Sequence, residues 1–269
     1  MPFSDCRCGL PKRESKIVNG VETEQNEYPW MVGLYMYSKH DDGHDYKSSV
    51  FCGGTLISDR WVLSAAHCLK PKEHDEPGEI GVLLGAHDLN DVHERDVRYV
   101  GVENIIVHQD YIPKIWRNDF ALLKLSGHLP FSSSPSDILP LVPSSIRPVC
   151  LPERINNSRK YESYVNKSAI VTGWGGTMRR GVYEAGGGIS SDVLLESKGL
   201  VVMTNTECNS DKYGYASKGR KLTQEILCAS STDSTDSCKG DSGSGGPLVV
   251  QREKKENYEL VGVVSWGWG

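Results

Sequence analysis

Asp236-Ser-Cys-Lys-Gly-Asp-Ser-Gly-Ser-Gly-Gly-Pro-Leu248 is a glycine-rich stretch in which Ser242 follows an acid and the apolar run Leu248–Val250 comes next. A serine hydroxyl is a weak nucleophile at neutral pH. It reacts when a neighbouring base takes its proton and fixed backbone N–H groups receive the oxyanion. Gly240 and Gly243 permit the sharp backbone that such a turn needs. Taken alone, the stretch fits either a catalytic serine or a flexible loop.

Two further motifs carry a base and an acid. His67 ends the segment Ser64-Ala-Ala-His-Cys68, which follows the apolar run Trp61–Leu63. Asp119 opens the strand-like segment Asp-Phe-Ala-Leu-Leu-Lys-Leu125. Separately, the histidine could be a core residue and the aspartate a strand cap. Together, an acid in this position can orient an imidazole and stabilise its protonated form.

The order His67, Asp119, Ser242 resembles that of the chymotrypsin/trypsin family of serine proteases. The resemblance runs from Ile17 to Gly269 and includes four more motifs: Ile17-Val-Asn-Gly20, Cys52-Gly-Gly54, Thr172-Gly-Trp-Gly175 and Val264-Ser-Trp-Gly267. Several independent motifs in one order identify the chain as a member of this family.

Short apolar or alternating runs between turn-forming residues predict an all-β protein, and spacing alone leaves sandwich and barrel open. Only part of 205–212 has a helical pattern. The resemblance implies two antiparallel six-stranded β-barrels with the active site between them. We expect a propeptide stub at 1–16, a first barrel over about 17–125, a connector at 126–150 and a second barrel over about 151–269. Family members continue past Ser-Trp-Gly, so the second barrel is expected to be incomplete at its C-terminus.

The resemblance implies acyl transfer to water. Ser242 is the nucleophile, His67 takes its proton and later returns it to the leaving amine, and Asp119 holds the tautomer of the ring. The backbone N–H groups of Gly240 and Ser242 form the oxyanion hole. The substrate backbone is expected to add as a strand along Ser265–Gly267.

Asp236 lies six residues before Ser242, where trypsin-like members of the family have an acid at the floor of the specificity pocket. A buried carboxylate is costly unless a cation pairs with it. The resemblance therefore implies cleavage after Lys or Arg. The alternative is a surface acid in the polar run Ser230–Ser237.

Lys16-Ile17 resembles an activation site. Cleavage there would free the α-amino group of Ile17, which in the family pairs with the acid beside the nucleophile, here Asp241. The chain is accordingly expected to be a zymogen whose activator cuts after a basic residue.

The motif around the nucleophile departs from the family pattern. The usual Gly-Asp-Ser-Gly-Gly-Pro is two residues longer here, so two serines compete. Ser242 keeps the spacing to the upstream residues and Ser244 keeps only the downstream spacing, and we take Ser242 as the nucleophile. The insertion and the missing C-terminal segment leave two alternatives open, which are a catalytically impaired protease-like binding protein and a non-functional truncated isoform.

Eight cysteines indicate an oxidising compartment. The resemblance implies bonds Cys52–Cys68 and Cys208–Cys228, and it ties Cys150 to either Cys6 or Cys8. The family partner of Cys238 would lie past Gly269. Two weak glycosylation signals, Asn156-Asn-Ser158 and Asn166-Lys-Ser168, fit a secreted protein. Residues 1–10 have no apolar signal core, so a secretory signal is expected outside this chain.

The composition contains 38% hydrophobic residues, and the net charge is −5 from 30 basic and 35 acidic residues. Neither a basic excess for nucleic acid nor an apolar run long enough for a membrane is present. Expected partners are a protein or peptide substrate with Lys or Arg at the cleavage site, an activating protease and a serpin-type inhibitor. Some family members bind Ca²⁺ after the segment written here Leu84-Gly-Ala-His-Asp-Leu89. Ala86 stands where a carboxylate ligand is expected, so we expect no metal, and no cofactor.

Overall fold

The computed structural model describes residues 8–12, 21–39, 45–69, 79–91, 96–131, 145–153, 160–175, 191–210, 212, 222–231, 244–253 and 255–266. Within these residues the chain is almost entirely strand and loop. The strands, numbered in chain order, are β1 (Val21–Glu22), β2 (Met31–Lys39), β3 (Asp45–Lys47), β4 (Cys52–Leu56), β5 (Trp61–Ser64), β6 (Glu79–Leu84), β7 (Arg98–Val107), β8 (Ala121–Leu125), β9 (Ser168–Gly173), β10 (Leu195–Met203), β11 (Cys228–Ser231), β12 (Pro247–Gln251) and β13 (Tyr258–Val263).

The first sheet closes into a six-stranded antiparallel barrel. Its strands run in the order β2-β4-β5-β8-β7-β6, and β6 returns to pair with β2, while β3 extends the far end of β2. Strand β8 alternates between fully buried residues and partly exposed ones, as expected for a strand with one face on a core. Because β6 pairs with β2, neither of these two strands presents an unpaired edge where they meet.

The second sheet is curled and stays open in the described residues. Its strands run in the order β1-β10-β9-β12-β13, with β11 paired to the part of β10 that follows its bulge. Strand β12 is buried along Pro247–Val250 because it lies in the middle of this sheet. Within the described residues the predicted all-β fold is therefore confirmed, with one closed barrel and a second sheet that forms a curled half-barrel.

The two sheets share a hydrophobic core. One cluster of buried side chains includes Trp30 and Leu34 of the first half together with Trp174, Val249 and Leu260 of the second. Strand β1 precedes the first barrel in sequence but pairs with β10 of the second sheet. The domain limits predicted from the sequence remain a prediction.

Helical structure is limited to single turns in the described residues. An α-helical turn, α1 (Asn205–Cys208), begins at Thr204, whose hydroxyl accepts the backbone N–H of Glu207, while the Glu207 carboxylate accepts the backbone N–H of Thr204. Two 3₁₀ turns cover Ala66–Cys68 and Lys160–Tyr164. No helix among the described residues has the length and apolar character needed to cross a membrane.

Within the described ranges, three disulfides link distant parts of the chain. The bonded pairs are Cys52–Cys68, Cys208–Cys228 and Cys8–Cys150. The choice that the sequence left open for Cys150 is thus resolved in favour of Cys8. Cys6 and Cys238 lie outside the described residues.

Candidate active site

His67 lies on the 3₁₀ turn that follows β5, and two bonds, one from the turn and one from the end of β5, hold this segment to β4. The disulfide joins Cys68 to Cys52, and the Ser64 hydroxyl donates to the carbonyl of Gly53 at 2.7 Å. The His67 side chain remains 20% exposed, at the surface of the first barrel. The small residues Ala65 and Ala66 are fully buried beneath it, so the apolar run anchors the turn and leaves the imidazole accessible.

Asp119 lies two residues before the start of β8, and its side chain is directed at His67. The preceding residue, Asn118, has a left-handed backbone (φ 53°), and its side-chain amide donates to the carbonyl of Asp110 at 3.0 Å. Asparagine tolerates this conformation better than most residues. The resulting turn directs the carboxylate inward, where its side chain is only 2% exposed.

Donors from His67 and Ser265 converge on the Asp119 carboxylate. Its Oδ1 accepts the backbone N–H of His67 at 2.8 Å, and its Oδ2 accepts Nδ1–H of the same histidine at 2.6 Å. The hydroxyl of Ser265 donates to Oδ2 at 2.5 Å. Because Nδ1 is the donor to a carboxylate, the neutral ring presents Nε2 as a proton acceptor.

Burial by itself raises the pKa of Asp119, but the hydrogen bonds from the His67 ring and from Ser265 outweigh it, so the pKa lies below its usual value of 3.8. The carboxylate is therefore ionised at neutral pH. An ionised acid held in this way fixes the orientation of the ring and its tautomer.

The indole of Trp116 covers one face of the His67 imidazole. The ring centroids lie 4.8 Å apart and the planes meet at 26°. Trp116 also has a left-handed backbone (φ 54°), unusual for a bulky residue. Trp116 and Asp119, which are close in sequence, thus both contact His67.

The segment Ser244–Gly246 lies beside the His67 turn. The N–H of Gly53 donates to the carbonyl of Ser244 at 2.8 Å, and the N–H of Gly245 donates to the carbonyl of Val264 at 2.8 Å. The N–H of Val264 in turn donates to the carbonyl of Gly246 at 2.9 Å. The chain just before β12 is therefore held between β4 of the first barrel and the end of β13.

The site residues predicted from the sequence fall into two groups. His67, Asp119 and Ser265 are brought together by the network above, although Ser265 was expected to offer its backbone to substrate rather than its hydroxyl to Asp119. Outside the described residues lie Lys16, Ile17, Asp236, Gly240, Asp241, Ser242 and Gly267. The contact of Trp116 with His67 was missed, because no motif in the segment signals it.

The ligand atoms of Cys52, His67 and Cys68 lie within 4.8 Å of one another. Both sulfurs form the disulfide, so neither is a thiolate able to bind a metal ion. The cluster holds the histidine turn in place.

Comparison with known proteins gives a consistent result. The family model described as Trypsin matches residues 17–269. The chain is 31% identical to mannan-binding lectin serine protease 1 of Rattus norvegicus, over 97% of this chain and 33% of that protein. It is 32% identical to the CLIP domain-containing serine protease HP8 of Bombyx mori, over 97% of this chain and 64% of that protein. The chain thus spans from a third to somewhat under two thirds of these relatives. Because the Trypsin family model covers almost the whole chain, the chain belongs to the trypsin family of serine proteases.

Proposed function

We propose that the protein is a secreted serine endopeptidase, made as a zymogen, that cleaves peptide bonds after Lys or Arg. The observation that carries the proposal is the bond from Nδ1 of His67 to the buried carboxylate of Asp119. It leaves Nε2 available as a general base at the surface. An orienting acid behind an accessible imidazole is the arrangement that activates a serine hydroxyl.

The proposed reaction proceeds in two steps, acylation of a serine and hydrolysis of the acyl ester. A serine Oγ attacks the peptide carbonyl carbon while its proton passes to Nε2 of His67. The tetrahedral intermediate then expels the amine, which takes that proton, and leaves an acyl ester. Water, deprotonated by the same nitrogen, attacks the ester, and the serine oxygen recovers the proton as the acid departs. The sequence motif nominates Ser242 for this role.

Substrate recognition is proposed from the sequence and the family. Asp236 would pair with the cationic side chain of the substrate, because a buried carboxylate is stabilised by such a partner. The N–H groups of Gly240 and Ser242 would bind the oxyanion. The substrate backbone would lie along Ser265–Gly267, which follows the end of β13.

Activation is proposed to follow cleavage between Lys16 and Ile17. The new α-amino group of Ile17 would pair with Asp241 and order the loop that carries the nucleophile. The partners that follow from this scheme are a protein or peptide substrate, an activating protease that cuts after lysine, and a serpin-type inhibitor. Three disulfides among the described residues support an extracellular location, because such bonds persist in oxidising compartments.

The test uses the full chain with an enteropeptidase recognition sequence ending at Lys16, so that cleavage is controlled. We expect the cut protein to hydrolyse ester and amide substrates with Arg or Lys at the cleavage site. Substrates with Glu or Phe there should be cleaved far more slowly. The matched control is His67→Ala, which removes the base. Turnover no greater than that of this control, in a protein that melts cooperatively, would favour the alternative of a non-catalytic binding protein.

A further inference from the structure

We infer that the nucleophilic hydroxyl belongs to Ser244 and not to Ser242. The inference rests on the proposed endopeptidase function and concerns the same site. Both serines stand in the lengthened motif Gly240-Asp-Ser-Gly-Ser-Gly-Gly-Pro247, and sequence spacing favours one or the other depending on which side is counted. The contacts of Ser244 with the turn that carries His67 favour Ser244 as the nucleophile.

The backbone of Ser244 is anchored beside the base. Its carbonyl oxygen accepts the N–H of Gly53 and lies 3.6 Å from the sulfur of Cys68. The same sulfur lies 3.7 Å from Nε2 of His67. The carbonyl of Ser244 and the basic nitrogen of His67 therefore both lie against the sulfur of Cys68, which is bonded to Cys52.

Gly245 fixes the register of this segment. Its φ is 86°, and a Cβ there would lie 2.4 Å from both the carbonyl oxygen of Gly53 and the hydroxyl oxygen of Ser64. Only glycine fits this position without displacing the β4–β5 hairpin. The residue immediately before Gly245 is therefore the one presented beside His67.

The strand pairing of the second sheet fixes the position of the chain after Ser244. Strand β12 begins at Pro247, which pairs with Val263, and the next residue, Leu248, pairs with both Gly262 and Val171. Gly246 is tied to Val264 by the N–H of the latter. Counted back from this strand, the serine of the usual motif, which stands three residues before the proline, corresponds to Ser244.

The hydrogen bonds around Ser244 agree with this assignment. The N–H of Gly245 donates to the carbonyl of Val264, and the next residue, Ser265, donates its hydroxyl to Asp119. The residue after Ser244 is thus linked through Val264 to the serine whose hydroxyl binds the Asp119 carboxylate. In the acylation step, Oγ of Ser244 bonds to the carbonyl carbon, its proton moves to Nε2 of His67, and the expelled amine takes that proton.

The test locates a covalent label. A fluorophosphonate reacts by forming a bond from a serine oxygen to phosphorus while fluoride leaves, with the proton taken up by the base. The full chain is labelled before and after cleavage at Lys16 and digested with trypsin. The peptide Gly240–Arg252 carries both serines, and fragment ions that separate them identify the labelled one. We expect the label on Ser244.

Matched variants separate the outcomes. Ser244→Ala should lose the label and lower kcat/KM on the order of 10⁶-fold, whereas Ser242→Ala should still be labelled on Ser244. Label on Ser242, or on both serines, would overturn the inference and leave the endopeptidase proposal standing. No label on either serine in a cut, cooperatively melting protein would overturn both. If a variant fails to fold, the position of the label in the unsubstituted chain still identifies the nucleophilic serine.

Discussion

Trp116 stacks on His67 with 4.8 Å between the ring centroids, so an aromatic side chain shields one face of the imidazole while Asp119 holds its Nδ1 edge. Both contacts come from one short segment, because Trp116 and Asp119 lie three residues apart. The loop before β8 therefore fixes the ring in two perpendicular directions. A mobile imidazole would spend less time in line with the serine proton.

The first prediction concerns this stack. Trp116→Ala should lower kcat/KM by about two- to tenfold, since aromatic pairs contribute about 0.5–1.5 kcal/mol. Trp116→Phe is the matched control, because it keeps a ring on the histidine and carries the same cost of a left-handed backbone at this position. Steady-state kinetics on an arginine ester measures both. Equal kinetics for the two variants would show that stacking does not hold the ring.

The second prediction concerns the acid itself. Asp119→Asn should reduce kcat by about 10⁴-fold with little change in secondary structure, because an amide stabilises the wrong tautomer of the imidazole. Single-turnover kinetics and circular dichroism measure the two effects. A loss smaller than about tenfold would mean that the bond between Asp119 and His67 does not orient a working base.

The third prediction concerns pH and Ser265. The pKa of Asp119 is lower in the folded state than its usual value, so its ionised form stabilises the fold at neutral pH. This contribution is complete above about pH 4 and is lost as the pH falls through the lower folded-state pKa. Ser265→Ala removes one of the hydrogen bonds that lower this pKa.

Ser265→Ala should therefore reduce the free energy of unfolding at pH 7 by about 1.5–3 kcal/mol, and the difference from the unsubstituted chain should narrow below pH 4. Urea unfolding at pH 7 and pH 3 measures this. Ser265→Thr keeps the hydroxyl and serves as the control. A difference that is the same at both pH values would show that Ser265 stabilises the fold without acting on the carboxylate.

The fourth prediction separates backbone strain from steric clash at Gly245. Gly199 has a similar φ of 89°, and nothing lies within 4 Å of the point that a Cβ would occupy there, whereas at Gly245 two oxygens lie 2.4 Å from that point. Gly199→Ala should cost about 1–2 kcal/mol for the left-handed conformation alone. Gly245→Ala should cost about 1–3 kcal/mol more and also lower activity. Thermal unfolding and kcat/KM check both, and equal costs would contradict the packing described for Ser244–Gly246.

The fifth prediction concerns the Cys8–Cys150 bond, which joins residues 142 apart. The neighbouring Gly9 accepts the N–H of Tyr258 at 2.6 Å and donates to the carbonyl of Pro148 at 2.9 Å. After cleavage at Lys16, the N-terminal peptide should stay attached on a non-reducing gel and separate on reduction. Cys8→Ser should release it without reductant, while Cys6→Ser should retain it. Release from the unsubstituted chain would contradict the bond.

Much of the fold followed from local patterns. The apolar runs around Trp61–Leu63 and Ala121–Leu125 became β5 and β8, because alternating or apolar segments of this length bury one face against a core. Strands β3 and β11 gave no comparable signal, since neither contains a run of large apolar residues. The helical pattern predicted for part of 205–212 corresponds to the single α-helical turn at Asn205–Cys208.

Part of the site could also be predicted from local sequence motifs. His67 and Asp119 stand in short motifs whose residue types state their chemistry, and their hydrogen bond is what that chemistry requires. The bond of Ser265 to Asp119 joins residues 146 apart, and a backbone-binding role was expected there instead. The direction of the Ser265 side chain depends on how β13 leaves the second sheet, which no local pattern encodes.

The amino-acid order established which groups are available: an imidazole, a carboxylate, two rival hydroxyls and the cysteines that secure them. Folding established which of these groups are neighbours, because the closing of β6 onto β2 and the docking of Ser244–Gly246 on β4 are contacts between segments far apart in the chain. Reactivity requires atoms within a few ångströms of one another. Linear spacing limits how far apart two residues can lie but does not bring them into contact.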